Sequence, residues 1–479
     1  MPEQPYTLSV HCHYYQPPRG NPFSAEPLIE PDAAPYPNWN ARITAECYQP
    51  NAAIGNYKHV SFNLGESLAE WLEKNALETY HAFIHADSAN MEQFNAGSAI
   101  AQPIDHTILP LARREDKITQ VRWGKAVFAH RFGRLPTGIW LPEMAVDLET
   151  LEVLAEEGIE WTILTESQIE GKRAGSGLYR VNLPNGKTLK VFVRDEGLSN
   201  DIAFSLGHFG GAGRWARQVL VPRKRESGPL TLIATDGETF GHHWPGEEQF
   251  LHWLLTYEAR AAGYEVMTLE RYAAKQKATE TVVVRNNTSW SCSHGVSRWA
   301  TGCGCTPGDS TWKGAMRRAM DNLRFELDHI YYDELKAVDS SADPIGLREG
   351  YIKVALGSIS SAEFLKSQEV DANKTESNRL MKLVEAQFYR QRIYTSCAFF
   401  FPDLDALSTR YGIANAAYAI KLTKEATEND LLPSFRRDLS IASGPDWENG
   451  QRITGAEILD QVQSEMPNSN NKHGTAPRI

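Results

Sequence analysis

The sequence predicts an α/β domain on a parallel sheet, open or closed into a barrel, followed by a mostly helical domain. Three observations carry this. Up to about residue 280, short apolar or β-branched runs alternate with stretches of helical period, the pattern that packs helices against a parallel sheet. Two of those runs end in loops crowded with acids and aromatics: Leu230 to Ala234 leads into Asp236-Gly-Glu-Thr-Phe-Gly-His-His-Trp244, and Gly138-Ile-Trp-Leu-Pro leads into Glu143. Beyond residue 280 the period is helical, with Trp312, Met316, Met320, Leu323, Leu327 and Ile330 recurring at three- and four-residue intervals. The expected division is residues 1-280 as the α/β domain with a long loop at 19-56, residues 281-466 as the helical domain completing the site, and a polar, disordered tail at 467-479.

Taken in order, Tyr6 to Val10 is the first strand, running into His11-Cys-His13. In an extended strand His11 and His13 share one face. Such a pair can hydrogen-bond sugar hydroxyls, hold a metal, or be purely structural. The Pro- and Asn-rich loop carries Trp39 and Tyr48, read as anchors. Val60 to Leu64 is a strand, and Ser67 to Tyr80 a helix with Leu68, Trp71, Leu72 and Ala76 inward. His106 has no evident structural duty and is a site candidate.

Asp116 to Phe132 and Leu148 to Glu157 read as helices, with the Glu143 strand between them and a strand from Trp161 to Leu164 after them. Tyr179 to Val193, turning at Pro184-Asn-Gly186, is a hairpin whose end, Arg194-Asp-Glu196, faces the site. Glu247 to Ala262 is a helix, Glu265 to Met267 the last barrel strand, and Thr281 to Arg285 a β-rich run. Leu380, Val384, Phe388 and Ala406 to Leu422 continue the helical period of the second domain.

The formal charge of −11 argues against a nucleic-acid or anionic-membrane partner. No run is long and apolar enough to span a bilayer, and the N-terminus shows neither the basic nor the apolar region of a signal peptide. A cytoplasmic protein is expected, with its six cysteines as reduced thiols rather than a disulfide framework. Twelve Trp, 18 Tyr and 18 Phe suit a ligand with apolar faces, such as a sugar ring, although many must be core.

Glu143 and Asp236, each just past a short apolar run and beside aromatics, are a candidate carboxyl pair for cleaving glycosidic bonds. The competing reading is that both cap the helices that follow them. Trp140, Glu238, His242, His243 and Trp244 are the neighbouring candidates for substrate contact. Further on, Cys292-x-His294 and Cys303-x-Cys305 offer four metal-ligating side chains, though not in the usual C-x₂₋₄-C spacing. The alternative is a thiol-rich loop forming one wall of the pocket, with Trp290 and His294 touching substrate and Trp299 as a further stacking candidate. No metal or other cofactor is assigned.

At these residues the chain resembles glycoside hydrolase family 57. The resemblance lies in His11-x-His13 with Gln16-Pro17, Ile104-x-His106-x-x-x-Pro110-Leu111, Trp140-Leu-Pro-Glu143 and Thr235-Asp-Gly-Glu-Thr-Phe-Gly241, in the family's order. It implies a (β/α)7 barrel with a helical C-terminal domain, acting with retention on α-glucans or malto-oligosaccharides as amylase or 4-α-glucanotransferase. Glu143 would be the nucleophile and Asp236 the general acid/base, carried by two neighbouring or near-neighbouring strands. Branching through an α-1,6 link is the alternative within the class, and a non-catalytic glucan-binding protein the alternative outside it. A metal-dependent deacetylase or mannosidase is disfavoured because no Asp stands beside the histidine pair. The residues after that pair and the C-terminal segments depart from better-studied members, so the resemblance fixes the chemistry better than the product, and it leaves the oligomeric state open.

Overall fold

The computed structural model describes residues 6–19, 21–23, 28–171, 175–224, 228–305, 307–445 and 451–466; the expected tail at 467–479 lies outside them. By contacts the chain forms two units, one of Met1–Gln16, Leu28–Ile104 and Val127–Trp290, the other of Pro17–Pro27, Asp105–Ala126 and everything from Ser291 on.

The first unit is built on parallel strands. β1 (Tyr6–Tyr14), β2 (Ser61–Leu64), β3 (Ala99–Ile100), β4 (Gly138–Ile139), β5 (Trp161–Thr165), β6 (Gly177–Asn182), β7 (Thr188–Arg194), β8 (Leu230–Asp236) and β9 (Tyr264–Val266) form two sheets, ordered β3-β2-β1-β8 and β4-β5-β7-β6. The sheets meet along two seams. At one, Ala101 bridges parallel to Ile139, its N–H donating to Gly138 O at 3.0 Å while the Trp140 N–H donates to Ala101 O at 2.8 Å. At the other, the Asp195 N–H donates to Leu232 O at 2.8 Å. Seven strands thus close in the order β1-β2-β3-β4-β5-β7-β8, the expected (β/α)7 barrel. β6 stands outside as the antiparallel hairpin partner of β7. β9, expected as the last barrel strand, only lies beside the lower end of β1, Tyr6 to Leu8.

The barrel is filled as its strand parity dictates. Leu230, Leu232 and Ala234 of β8 share one face, and with Trp161, Ile163, Phe192, Ile100, Met267 and Leu269 they form a buried core. Along that face the residues change character toward the strands' C-terminal ends, where His13, Asn63 and Asp236 stand in register. Apolar below and polar above is the division that makes one barrel mouth a site.

Several expected elements differ. The helix expected over 67–80 breaks at Ala76 (φ −148°), giving Glu66–Asn75 and a separate helix Leu77–Phe94. The 19–56 segment carries a helical stretch from Trp39 to Ala53 that passes through a wide turn at Thr44–Tyr48. Asn38 caps its start, its side chain accepting from the Ala41 N–H at 3.0 Å. Thr281 to Arg285 makes isolated bridges, Arg180 with Thr281 and Ile169 with Val284, rather than a strand.

The second unit is helical. Its main helices are Trp312–Val338, Lys374–Arg392, Leu407–Thr427 and Gly455–Ser464. They bury the predicted stripe of Met316, Met320, Leu323, Leu380, Val384 and Phe388. Among the described residues no helix is long and apolar enough to cross a membrane.

Candidate active site

β4 ends at Ile139, and the chain after it turns through Trp140, Leu141 and Pro142 to Glu143, whose backbone is left-handed (φ 58°, ψ 18°), as is that of Met144. A glutamate held there costs energy that the surroundings must offset, and such positions cluster at functional sites. Trp290 holds it from both ends. Its backbone N–H donates to Glu143 O at 3.0 Å, and its indole N–H donates to Glu143 Oε2 at 3.1 Å. Glu143 caps no helix; that task falls to Asp147, which accepts from the Thr150 N–H at 2.7 Å.

Asp236 closes β8, and its side chain makes no capping bond to the turn that follows. Gly237 comes next because a Cβ there would run into the Tyr14 ring. Burial, then the charges of Glu238 and Glu143, push the Asp236 carboxyl up to about 8, against the pull of Arg194. Some of its surface stays open at the strand end, but the protein packed around it is enough to keep it protonated at neutral pH. Glu143 and Asp236 therefore sense each other. They do so across the mouth rather than from neighbouring strands, since β5 and β7 lie between β4 and β8. Neither acid is a helix cap, so the competing reading of both is overturned.

His11 and His13 project from β1 on the same face. His11 Nε2 lies 3.1 Å from Asn63 Oδ1, and His13 Nδ1 lies 2.8 Å from Asn63 Nδ2 and 3.2 Å from Oδ1. Asn63 is itself fixed by donating to Gln102 Oε1 at 2.7 Å. Burial, only partly offset by Asn63, pulls His11 down to about 3 and His13 to about 4, so both imidazoles are neutral hydrogen-bonding groups. Trp140 stacks on both, with ring centroids 5.0 and 4.8 Å away. It is fully buried, so its reading as a substrate contact is corrected: its rings support the histidines from within the core.

Glu238 is buried and accepts from the Tyr48 hydroxyl and from Gln16 Nε2 at 3.2 Å. Burial pushes it up to about 7 against those donors. Its place is that of a buried neighbour tuning Asp236 rather than a surface for sugar hydroxyls, because its partners are protein groups. His242 pairs with Glu46, Nδ1 to Oε2 at 2.6 Å, and lies edge-on to Trp39. Trp244 donates its indole N–H to Ala203 O at 3.0 Å and packs over Gly207. His243 is exposed beside His242.

His106 and His294 belong to the second unit. His106, with a left-handed backbone (φ 51°), has Nδ1 2.7 Å from Ser396 Oγ. His294 sits among Cys292, Cys303 and Cys305. Trp299 is fully buried against Phe400, which corrects its reading as a stacking platform.

Two participants lie outside the initial candidates for substrate contact. Asn63 was legible only as one of two polar residues, with Ser61, in a short strand. Arg194 was expected to face the site, and its role is positional. Its Nε donates to Thr165 Oγ1 at 3.0 Å, its Nη1 to Ala234 O at 2.7 Å, and its guanidinium lies 5.0 Å over the Trp290 ring. It therefore holds the indole that holds Glu143.

Comparison with known proteins follows these contours. A family model described as glycosyl hydrolase family 57 matches residues 36–285, and one described as a domain of unknown function (DUF3536) matches 309–465. An alpha-amylase of Pyrococcus horikoshii is 24% identical over 224 residues, 45% of this chain and 33% of that protein. Alpha-amylase 1 of Dictyoglomus thermophilum is 28% identical over 215 residues, 43% of this chain and 30% of that protein. The chain thus spans about a third of the length of the curated relatives it matches. Among solved structures, an exo-type maltose-forming amylase from Pyrococcus sp. ST04 shares the fold with a TM-score of 0.68 at 15% identity, covering 90% of this chain and 82% of that one.

Proposed function

The chain belongs to glycosyl hydrolase family 57, and from that premise we propose that it is a retaining α-glucan-active enzyme of amylase or 4-α-glucanotransferase type. The observation that carries the reading is the unequal environment of two facing carboxyls. Asp236 is kept protonated at neutral pH by burial and by Glu238 and Glu143. Glu143 receives an indole N–H that steadies the charge it must carry.

Retention needs that inequality. Asp236 protonates the departing glycosidic oxygen while Glu143 attacks C1, forming a glycosyl ester. Once Asp236 has given up its proton, it takes one from the incoming acceptor, which displaces Glu143. His13, neutral and braced by Asn63 and Trp140, holds a hydroxyl of the sugar at the cleavage point, while His11, as fully buried as Trp140, braces Asn63 from within the barrel rather than touching the sugar. Water as acceptor makes a hydrolase, and a sugar hydroxyl makes a transferase.

The test is incubation of purified protein with maltoheptaose and with amylose, followed by analysis of product size, linkage and anomer. Longer and shorter α-1,4 oligomers together mean 4-α-transfer. Only shorter products of retained anomer mean an amylase, and new α-1,6 links mean branching. No turnover of either substrate, with the fold intact, moves the assay to other α-glycosides, and inactivity on those as well overturns the enzymatic reading in favour of glucan binding.

A further inference from the structure

The geometry points to a second site, in the helical unit, that the carbohydrate chemistry leaves unused: we propose that Cys292, His294, Cys303 and Cys305 bind a zinc ion as a closed, four-ligand structural centre. One ligand atom from each residue lies within 4.8 Å of all the others. A tetrahedron with sulfur about 2.3 Å from zinc has edges of about 3.8 Å. Cys292 Sγ is 3.5 Å from Cys303 Sγ, and His294 Nδ1 is 3.1 Å from Cys305 Sγ. Small side-chain adjustments close that tetrahedron. A disulfide, by contrast, needs its sulfurs about 2.05 Å apart, and all three cysteines are free.

The surroundings are those of metal-bound thiolates. Backbone N–H groups of His294 and Arg298 point at the Cys292 sulfur, and that of Ser293 at Cys305. Such donors orient ligands and disperse thiolate charge. The Ser293 hydroxyl lies 3.3 Å from Cys305 Sγ, a further polar neighbour for a bound thiolate. Zinc with three thiolates and a neutral imidazole carries one net negative charge, and the Lys313 ammonium lies within electrostatic reach of Cys303 and Cys292. Binding releases the protons the thiols still hold and is redox-neutral.

The spacing that looks wrong for a linear zinc motif has a structural reason. The chain from Cys292 to Cys305 doubles back on itself through Gly295 and Gly302, both at positive φ, around a single helical turn, Ser297–Ala300. That brings the two ends together, with Trp299 as the loop's own fully buried anchor. A loop with so little core of its own gains most from a metal staple. Four protein ligands leave no open coordination position, so the ion is structural rather than catalytic.

The experiment is elemental analysis of untagged full-length protein purified under reducing conditions, with cobalt titration of the metal-stripped form. About one zinc per chain is expected, with cobalt giving the visible band of a tetrahedral, thiolate-rich site. Cys303→Ser and Cys305→Ser should each weaken zinc binding by at least about tenfold and lower Tm. If those variants do not fold, the wild-type cobalt spectrum decides alone. Wild type without zinc and without that band overturns the proposal, as does a Cys303→Ser/Cys305→Ser double variant that retains zinc at the wild-type level.

Discussion

At the residue scale, the chemistry turns on how protons are shared among three acids. After burial itself, the Glu238 charge is the strongest influence raising Asp236. Activity that needs protonated Asp236 should fall as pH rises through about 8. Glu238→Gln removes a negative neighbour, so the Asp236 proton leaves at lower pH and the falling limb of kcat/KM moves down. A limb that stays in place or moves up would remove Glu238 from this role. Trp290→Phe keeps an aromatic ring, though a smaller one, but deletes the N–H at Glu143. A hydrogen bond to a charged group contributes about 1.5–3 kcal/mol, so kcat should drop roughly 10- to 100-fold with little change in Tm. An unchanged kcat would mean that Glu143 is held by its backbone alone. Both carboxyls were legible in the sequence because each follows a short apolar run. The Trp290 bond was not, because it joins residues 147 positions apart and indole N–H direction leaves no mark on composition.

At the element scale, regular periodicity was readable and interruptions were not. The helices at 114–132 and 312–338 and the 177–194 hairpin follow from apolar period and turn residues. The break at Ala76 is invisible in sequence, since alanine is the best helix former and only tertiary packing bends the chain there. The helical stretch at 39–53 was obscured by its prolines and asparagines, yet it carries buried duties. Tyr48 donates its hydroxyl to Glu238, Tyr57 donates to Tyr48 O at 2.7 Å, and Asn51 donates to Phe240 O at 2.7 Å. Tyr48→Phe should therefore destabilise the fold by about 1–3 kcal/mol. The loss should be larger at pH 8 than at pH 6. Above about 7 Glu238 is a buried carboxylate in need of donors, whereas below it the carboxyl is neutral. Thermal melts at the two pH values that shift equally would remove this coupling.

At the scale of the whole molecule, the change of period near residue 280 divides the sequence, but contacts divide the chain differently. Asp105–Ala126 packs with the C-terminal helices. The reason is a buried ion cluster that no period encodes. Arg390 reaches Asp116 at 2.5 Å and Asp328 at 2.6 Å, Gln391 Nε2 donates to Asp116 at 2.8 Å, and Arg348 Nη2 donates to Thr119 Oγ1 at 2.8 Å. Trp123 adds its indole N–H to Glu349 O at 2.8 Å. A piece holding only residues 281–466 keeps both arginines and Asp328 but lacks Asp116, Thr119 and Trp123. Breaking a buried pair by removing one partner costs about 3–5 kcal/mol, and losing a buried tryptophan side chain costs a similar amount. Together these rival the whole stability of a typical domain, about 5–15 kcal/mol. The isolated 281–466 piece should therefore lack a cooperative thermal transition by circular dichroism, whereas full-length Arg390→Met should still melt cooperatively, at lower temperature. A sharp, two-state melt of the isolated piece would show that the helical unit draws no essential stability from the segment inserted between barrel strands.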